Sequence, residues 1–90
     1  MSTKVHLYSN LQRYTENQPI VEVDGASVGQ CLRNLVLKHP GLNKIIFDKN
    51  GNLPSNVYIS VNLNSAKSEQ LETPISENDQ LYVILIVAGG

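Results

Sequence analysis

The stretch VEVDGASVGQCLRNLVLKHPGL, residues 21–42, changes its periodicity part-way, and that change decides the fold class. Its opening, read with the two residues before it as PIVEVD (19–24), is a β-branched run that reads as a strand. From Val28 the apolar residues fall at helical spacing. Val28, Leu32, Leu35 and Val36 share a stripe, Cys31 lies beside it, and Arg33, Asn34 and Lys38 face away. Ser27 followed three residues later by Gln30 matches a capping box, in which two side chains satisfy orphan N–H groups of the first turn. His39 suits the negative pole at the helix end, and Pro40-Gly41 stops the helix. No other long helix is apparent in the chain.

Working outward, KVHLY (4–8) alternates, with Val5 and Leu7 on one face and Lys4, His6 and Tyr8 on the other. The polar stretch 9–18 is long for a tight hairpin and reads as a loop with some local structure. DKNGN (48–52) is a turn signal, strongest at Asn50-Gly51. NVYISVN (56–62) is a strand in which Val57, Ile59 and Val61 alternate with Tyr58 and Ser60. Pro74 and ENDQ (77–80) then precede a last strand, LYVILIV (81–87). Two strands, one helix and further strands predict an α+β domain, a mixed sheet with the helix packed across one face. Without repeats or a linker, residues 1–90 read as a single domain.

The last strand is apolar on both parities: Leu81, Val83, Leu85 and Val87 on one, Tyr82, Ile84 and Ile86 on the other. A sheet covered by one helix buries one face. Either the second parity is a partner surface, or the strand is central with a small second core under the loops. The pattern leaves both open.

Composition narrows the function classes. Apolar residues make up 41% of the chain, ordinary for a folded domain, and seven Lys+Arg stand against eight Asp+Glu with no basic block. That argues against a nucleic-acid partner. The longest apolar run, residues 83–88, is too short to span a bilayer, and the N-terminus lacks the apolar core of a signal peptide. Cys31 is the one cysteine, which is compatible with a reducing compartment. A cytoplasmic protein with no membrane partner is the expectation.

An internal active site is hard to find. His6 and His39 stand apart from other ligands at metal-site spacing, so no metal site is expected. Cys31 on the helix stripe reads as a small core residue. The glycines at 25, 29, 41 and 51 form no phosphate loop. Attention therefore falls on the end of the sequence, IVAGG (86–90). Gly89 and Gly90 have no Cβ to clash in a narrow channel. Val87, Ala88, Gly89 and Gly90, if extended, reach roughly 13–14 Å, enough to place a carboxylate in another protein's cleft. A free carboxylate is a poor acylating agent, so its activation needs an ATP-using partner.

This order of features resembles the ubiquitin-like β-grasp sulfur carriers, the group containing the molybdopterin synthase small subunit and the thiamine- and cysteine-biosynthesis carriers. The resemblance runs through VHLYSNLQRYT (5–15), VEVDGASVGQCLRNLVLKHPGL (21–42), FDKNGNL (47–53), VYISVN (57–62), LETPISENDQLYV (71–83) and VAGG (87–90). It implies a β-grasp fold with an extended C-terminal tail (87–90) that docks on an E1-like adenylating enzyme. In such carriers the terminal carboxylate, here that of Gly90, is adenylated with ATP and Mg²⁺ supplied through the partner. It is then converted to a thiocarboxylate that donates sulfur. Such a protein is a carrier without bound cofactor rather than an enzyme, although it can count as the small subunit of a synthase. Its second partner is a sulfurtransferase or a sulfur-accepting synthase. The resemblance further assigns Tyr82, Ile84 and Ile86 to docking, and Gly89, Ala88 and Val87 to the partner's channel.

Three departures stand out. Asn62-Leu63 replaces the Asn-Gly common in the family, which predicts that the turn is not a two-residue type I′ hairpin. Leu85 stands where many members carry proline, restoring a backbone N–H that lets the strand continue or pair differently. Residues 64–70 are more polar than expected. The thiamine carriers are shorter and lack a segment like FDKNGNLPSN, so the longer molybdopterin or cysteine carriers fit better. Two other roles stay open: a ubiquitin-like modifier joined through Gly90 to lysines, and an interaction domain whose Gly-Gly end is incidental.

Overall fold

The computed structural model describes residues 2–63 and 70–86. Strand β1 (Ser2–Leu7) sends Thr3, Val5 and Leu7 to a buried face. Strand β2 (Ile20–Asp24) pairs with it antiparallel and buries Val21 and Val23 on the same side. Helix α1 (Val28–Lys38) follows, then a helical turn α2 (Asn43–Ile46), strand β3 (Val57–Val61) and strand β4 (Gln80–Leu85). The strand order is β2-β1-β4-β3, with β1 and β4 parallel and β3 antiparallel to β4. Parallel neighbours cannot be joined by a hairpin, so the chain between them must cross a face of the sheet. Helix α1 lies in that crossover, and the result is the α+β, β-grasp fold that the sequence predicts.

Core packing holds this arrangement. Val28, Cys31, Leu32 and Leu35 of α1 belong to the same buried cluster as Val5, Val21, Ile59, Leu81 and Val83 of the sheet. Burying each large aliphatic side chain contributes about 1.5–3 kcal/mol over leaving it exposed. A one-residue slip of β4 would turn Leu81 and Val83 to the opposite face, so the core also fixes register.

The helix start follows the capping logic with one change. Ser27 Oγ accepts from the Gln30 N–H at 3.2 Å, as expected. Gln30 Oε1 accepts from the Ala26 N–H at 2.9 Å, one residue before the cap. His39 ends α1, its N–H donating to the Leu35 carbonyl. Pro40-Gly41 does not end helical geometry: a 3₁₀ turn at Pro40–Leu42 leads into α2, and both Leu42 and Ile46 enter the core. Proline is favourable at the first position of a helix, so the residue that stops one turn starts the next.

The 9–18 loop contains a 3₁₀ turn, Ser9–Tyr14, that buries Leu11. It then reverses through Glu16 and Asn17, at φ 56° and 65°, with the Gln18 N–H donating to the Thr15 carbonyl. Asp48 organises the next turn. Its Oδ1 accepts from the N–H groups of Asn50 at 2.8 Å and Asn52 at 3.0 Å, while Gly51 takes φ 82°.

Two expectations about the end of the sheet are now answered. Asn62 and Leu63 both adopt left-handed φ, 57° and 59°, but the strand that pairs with β3 begins only at Gln80, so no two-residue hairpin joins β3 to β4. Bonds of Asn62 tie the end of β3 to the start of β4. Asn62 Nδ2 donates to Asp79 Oδ1 at 2.8 Å, its Oδ1 accepts from the Gln80 N–H at 2.8 Å, and its own N–H donates to the Gln80 carbonyl. Leu85 does continue the strand, lying opposite Val57 in the β3–β4 ladder.

Candidate functional site

Strand β4 lies between β1 and β3, and its two parities part company there. Leu81 and Val83 are fully buried on the helix side, whereas Tyr82 and Ile84 are half-buried on the other and Ile86 is 50% exposed. The strand is central, as one reading of its pattern required. Yet the buried apolar cluster takes its β4 members, Leu81 and Val83, from the helix side alone. Tyr82, Ile84 and Ile86 thus stay within reach of a partner.

Sheet register adds neighbours that the sequence reading did not assign to this face. His6 lies beside Tyr82 and Ile20 beside His6; Tyr58 lies beside Ile84 on the far side. The His6 and Tyr82 rings stack with centroids 4.3 Å apart and planes 16° from parallel, and Gln80 Oε1 accepts from His6 Nε2. Ile20 and Tyr8 are 43% and 58% exposed at the rim. The signal was the shared parity of His6 and Tyr8 in KVHLY (4–8), which becomes meaningful once β1 is known to adjoin β4. The face is an apolar and aromatic strip that reaches all four strands, bordered by Lys4 and Glu22. Its chemistry is adhesive, suited to contact with another protein.

The strip leads to the point where β4 ends. There the Ile86 N–H donates to the Asn56 carbonyl at 2.7 Å, and Asn10 Nδ2 donates to the Leu85 carbonyl at 3.1 Å. The peptide joining Leu85 and Ile86 is therefore held from both sides of the strand. Val87, Ala88, Gly89 and Gly90 lie outside the described residues.

Other candidate groups are accounted for by packing. Cys31 is completely buried; burial pushes its thiol pKa up, against a smaller lowering by a hydrogen bond from Thr3. A protonated, enclosed thiol is a poor nucleophile. His39 serves the end of α1. Among the described residues no group of three His, Cys, Asp or Glu side chains is placed to hold a metal ion. No helix among them is long and apolar enough to cross a membrane.

Known proteins share this architecture over its full length. The small archaeal modifier protein SAMP1 of Haloferax volcanii superposes with a TM-score of 0.86 at 27% identity, covering 100% of both chains. Its counterpart in Methanosarcina acetivorans gives 0.84 at 28%, over 99% of this chain and 96% of that one. A chain in the Amycolatopsis orientalis BexX/CysO complex gives 0.81 at 26%, over 98% and 99%. No curated protein matches closely enough to count as a relative. The profile of the ThiS family matches residues 5–90, nearly the whole sequence. The sheet order, the crossing helix and that match lead to one conclusion: the chain belongs to the ThiS family of ubiquitin-like β-grasp sulfur carriers.

Proposed function

We propose that this protein is a sulfur carrier whose reactive group is the Gly90 carboxylate. An E1-like partner attaches AMP from ATP, with Mg²⁺, to form an acyl-adenylate and release pyrophosphate. A thiol reductant releases hydrosulfide from the persulfide of a sulfurtransferase, and the hydrosulfide attacks the Gly90 carbonyl, expels AMP and leaves a thiocarboxylate. That group donates its sulfur to a synthase in molybdopterin or cysteine biosynthesis. The chain contributes the docking strip and the substrate carboxylate; the catalytic groups are the partner's. The carrying observation is the family match through residue 90. The apolar strip formed with Tyr82, Ile84 and Ile86 supports it, because a substrate that is itself a protein needs a docking surface. CysO in its complex with BexX is a precedent for a stable carrier–partner assembly in a similar fold.

The two modifier proteins among the structural neighbours favour a second reading, in which a lysine amine takes the activated Gly90 to form an isopeptide bond. Activation is common to both readings, so the product separates them. The experiment is the intact mass of the native protein isolated under reducing conditions. Exchange of one oxygen for sulfur, localised to the Gly89-Gly90 peptide, is the expected result. An unmodified carboxylate, with the chain recovered on lysines of larger proteins, would overturn the carrier reading.

A further inference from the structure

Strand β2 closes one side of the sheet, with β1 on its inner edge and no described strand on its outer one. An uncovered edge of this kind is a template for another strand, including the same strand of a second copy. The Leu7 N–H donates to the Pro19 carbonyl at 2.8 Å, which makes these two a bonded pair one step beyond the β1–β2 ladder. Bonded and unbonded pairs alternate in an antiparallel ladder. Val5–Val21 and Thr3–Val23 are therefore the bonded pairs, and Ile20, Glu22 and Asp24 turn their N–H and C=O groups outward. Helix α1 meets this edge with side chains spaced one turn apart. Lys38 Nζ donates to the Glu22 carbonyl and Asn34 Nδ2 to the Asp24 carbonyl, each at 2.6 Å. One turn further back, Gln30 Oε1 accepts from the Ala26 N–H at 2.9 Å, just past the end of β2. The two periodicities explain the series: four residues of helix rise about 6 Å, and two residues of strand advance about 6.8 Å. Since α1 runs against β2, Gln30, Asn34 and Lys38 step down the backbone at Ala26, Asp24 and Glu22. The sequence pattern placed Asn34 and Lys38 only on the face turned away from the helix stripe.

We infer that Asn34 and Lys38 are edge guards that keep β2 from pairing with β2 of a second copy. Two-fold antiparallel pairing centred on Glu22 would set Glu22 opposite its own copy and Asp24 opposite Ile20. Both the Glu22 and the Asp24 carbonyls would have to accept from the incoming strand. The guards already occupy them, so a strand enters only by displacing both side chains. Glu22 facing Glu22 adds like charge at the same seam. The edge is closed by two devices, one of hydrogen bonds and one of charge. Contact with other proteins is thereby left to the open face rather than to the β2 edge. The guards do not depend on the carrier reading.

The test is the association state of the full-length chain, measured by sedimentation velocity up to millimolar concentration in high salt, which screens Glu22 and Asp24. The wild type should remain a monomer. Asn34→Ala/Lys38→Ala keeps good helix formers in α1 and should fold, as a thermal melt reports. It should self-associate roughly tenfold or more strongly, the effect of two hydrogen bonds of ordinary net strength. Amide hydrogen exchange followed by NMR locates the contact. The Glu22 amide, which faces outward, should gain protection in the variant as concentration rises. Lys38→Met keeps the stem on the helix and removes only the ammonium; it should show the same change in smaller measure, and it serves if the double variant does not fold. A wild type that dimerises with a protected Glu22 amide overturns the inference and requires no variant. So does a folded variant that stays monomeric, or one that associates without protecting Glu22.

Discussion

Gly25 joins β2 to α1 with little room to spare. A Cβ built there would lie 2.7 Å from both the backbone nitrogen and the Sγ of Cys31. The requirement is for space against the first turn of α1. Gly25→Ala must push the helix away from the strand and should destabilise by about 1–3 kcal/mol, the usual cost of overpacking. The measurement is the urea midpoint, with an unchanged denaturant slope. Adding Cys31→Ala should not restore stability, since the contact with the backbone nitrogen remains; recovery to wild type would assign the strain to Sγ alone. Asp79 makes a second residue-scale prediction. The Ser76 N–H, first, and then Asn62 Nδ2 donate to its carboxylate at 2.8 Å and hold its pKa below the usual carboxylate range. A depressed folded-state pKa contributes stability above the unfolded value, about 3.9 for aspartate, and loses it as pH falls through the folded one. Asp79→Asn should therefore be less stable than wild type at neutral pH, with the gap narrowing in acid. A gap independent of pH in urea melts would refute this.

At the scale of elements, β4 buries one parity and leaves the other half-buried to exposed, and the carrier reading gives the second to docking. Leu81 is fully buried among the core residues, so Leu81→Asp should unfold the domain by burying an unpaired charge. Ile86 is half exposed, and its one described bond is made by its backbone N–H. Ile86→Asp should change stability by no more than about 0.5 kcal/mol yet weaken binding to the activating enzyme at least about tenfold, as loss of an apolar anchor does. Calorimetric titration and a thermal melt separate these effects; an Ile86→Asp protein that binds normally would exclude this end of the strip from docking. The parity itself was legible from alternation alone, and so was α1, whose stripe of Val28, Leu32 and Leu35 needs no partner to be recognised. What could not be read required knowledge of neighbours. His6, Tyr8, Ile20 and Tyr58 join Tyr82 and Ile84 because β1 lies beside β4, with β2 and β3 flanking the pair, and no single strand encodes that order. Helix α2 was hidden because Pro40 signals both an end and a beginning. The left-handed φ of Leu63 was not legible, because nothing in a leucine side chain favours it. The bond from Asn10 to the Leu85 carbonyl was invisible for a similar reason, since it joins residues 75 apart in sequence.

For the whole molecule, the carrier reading assigns folding and chemistry to different parts of the chain. Every buried apolar residue among those described lies between Val5 and Val83, and the hydrogen bonds of Leu85 and Ile86 close the sheet beyond them. If Gly90 is the acceptor of AMP, Gly89 is selected by the width of the partner's channel and by nothing in this core. Gly89→Val adds a β-branched side chain that narrows the accessible backbone and widens the tail. Its melting temperature should match the wild type. Adenylation, followed as ATP–pyrophosphate exchange with the activating enzyme, should fall by at least about a hundredfold, since a displacement of about 1 Å at the reacting group is enough for that. A large drop in melting temperature would mean that Gly89 packs against the domain. Full activity would mean that the partner's channel is wide, and that the Gly-Gly end has some other purpose. An unchanged melting temperature with lost exchange would tie Gly89 to the chemistry rather than to the fold.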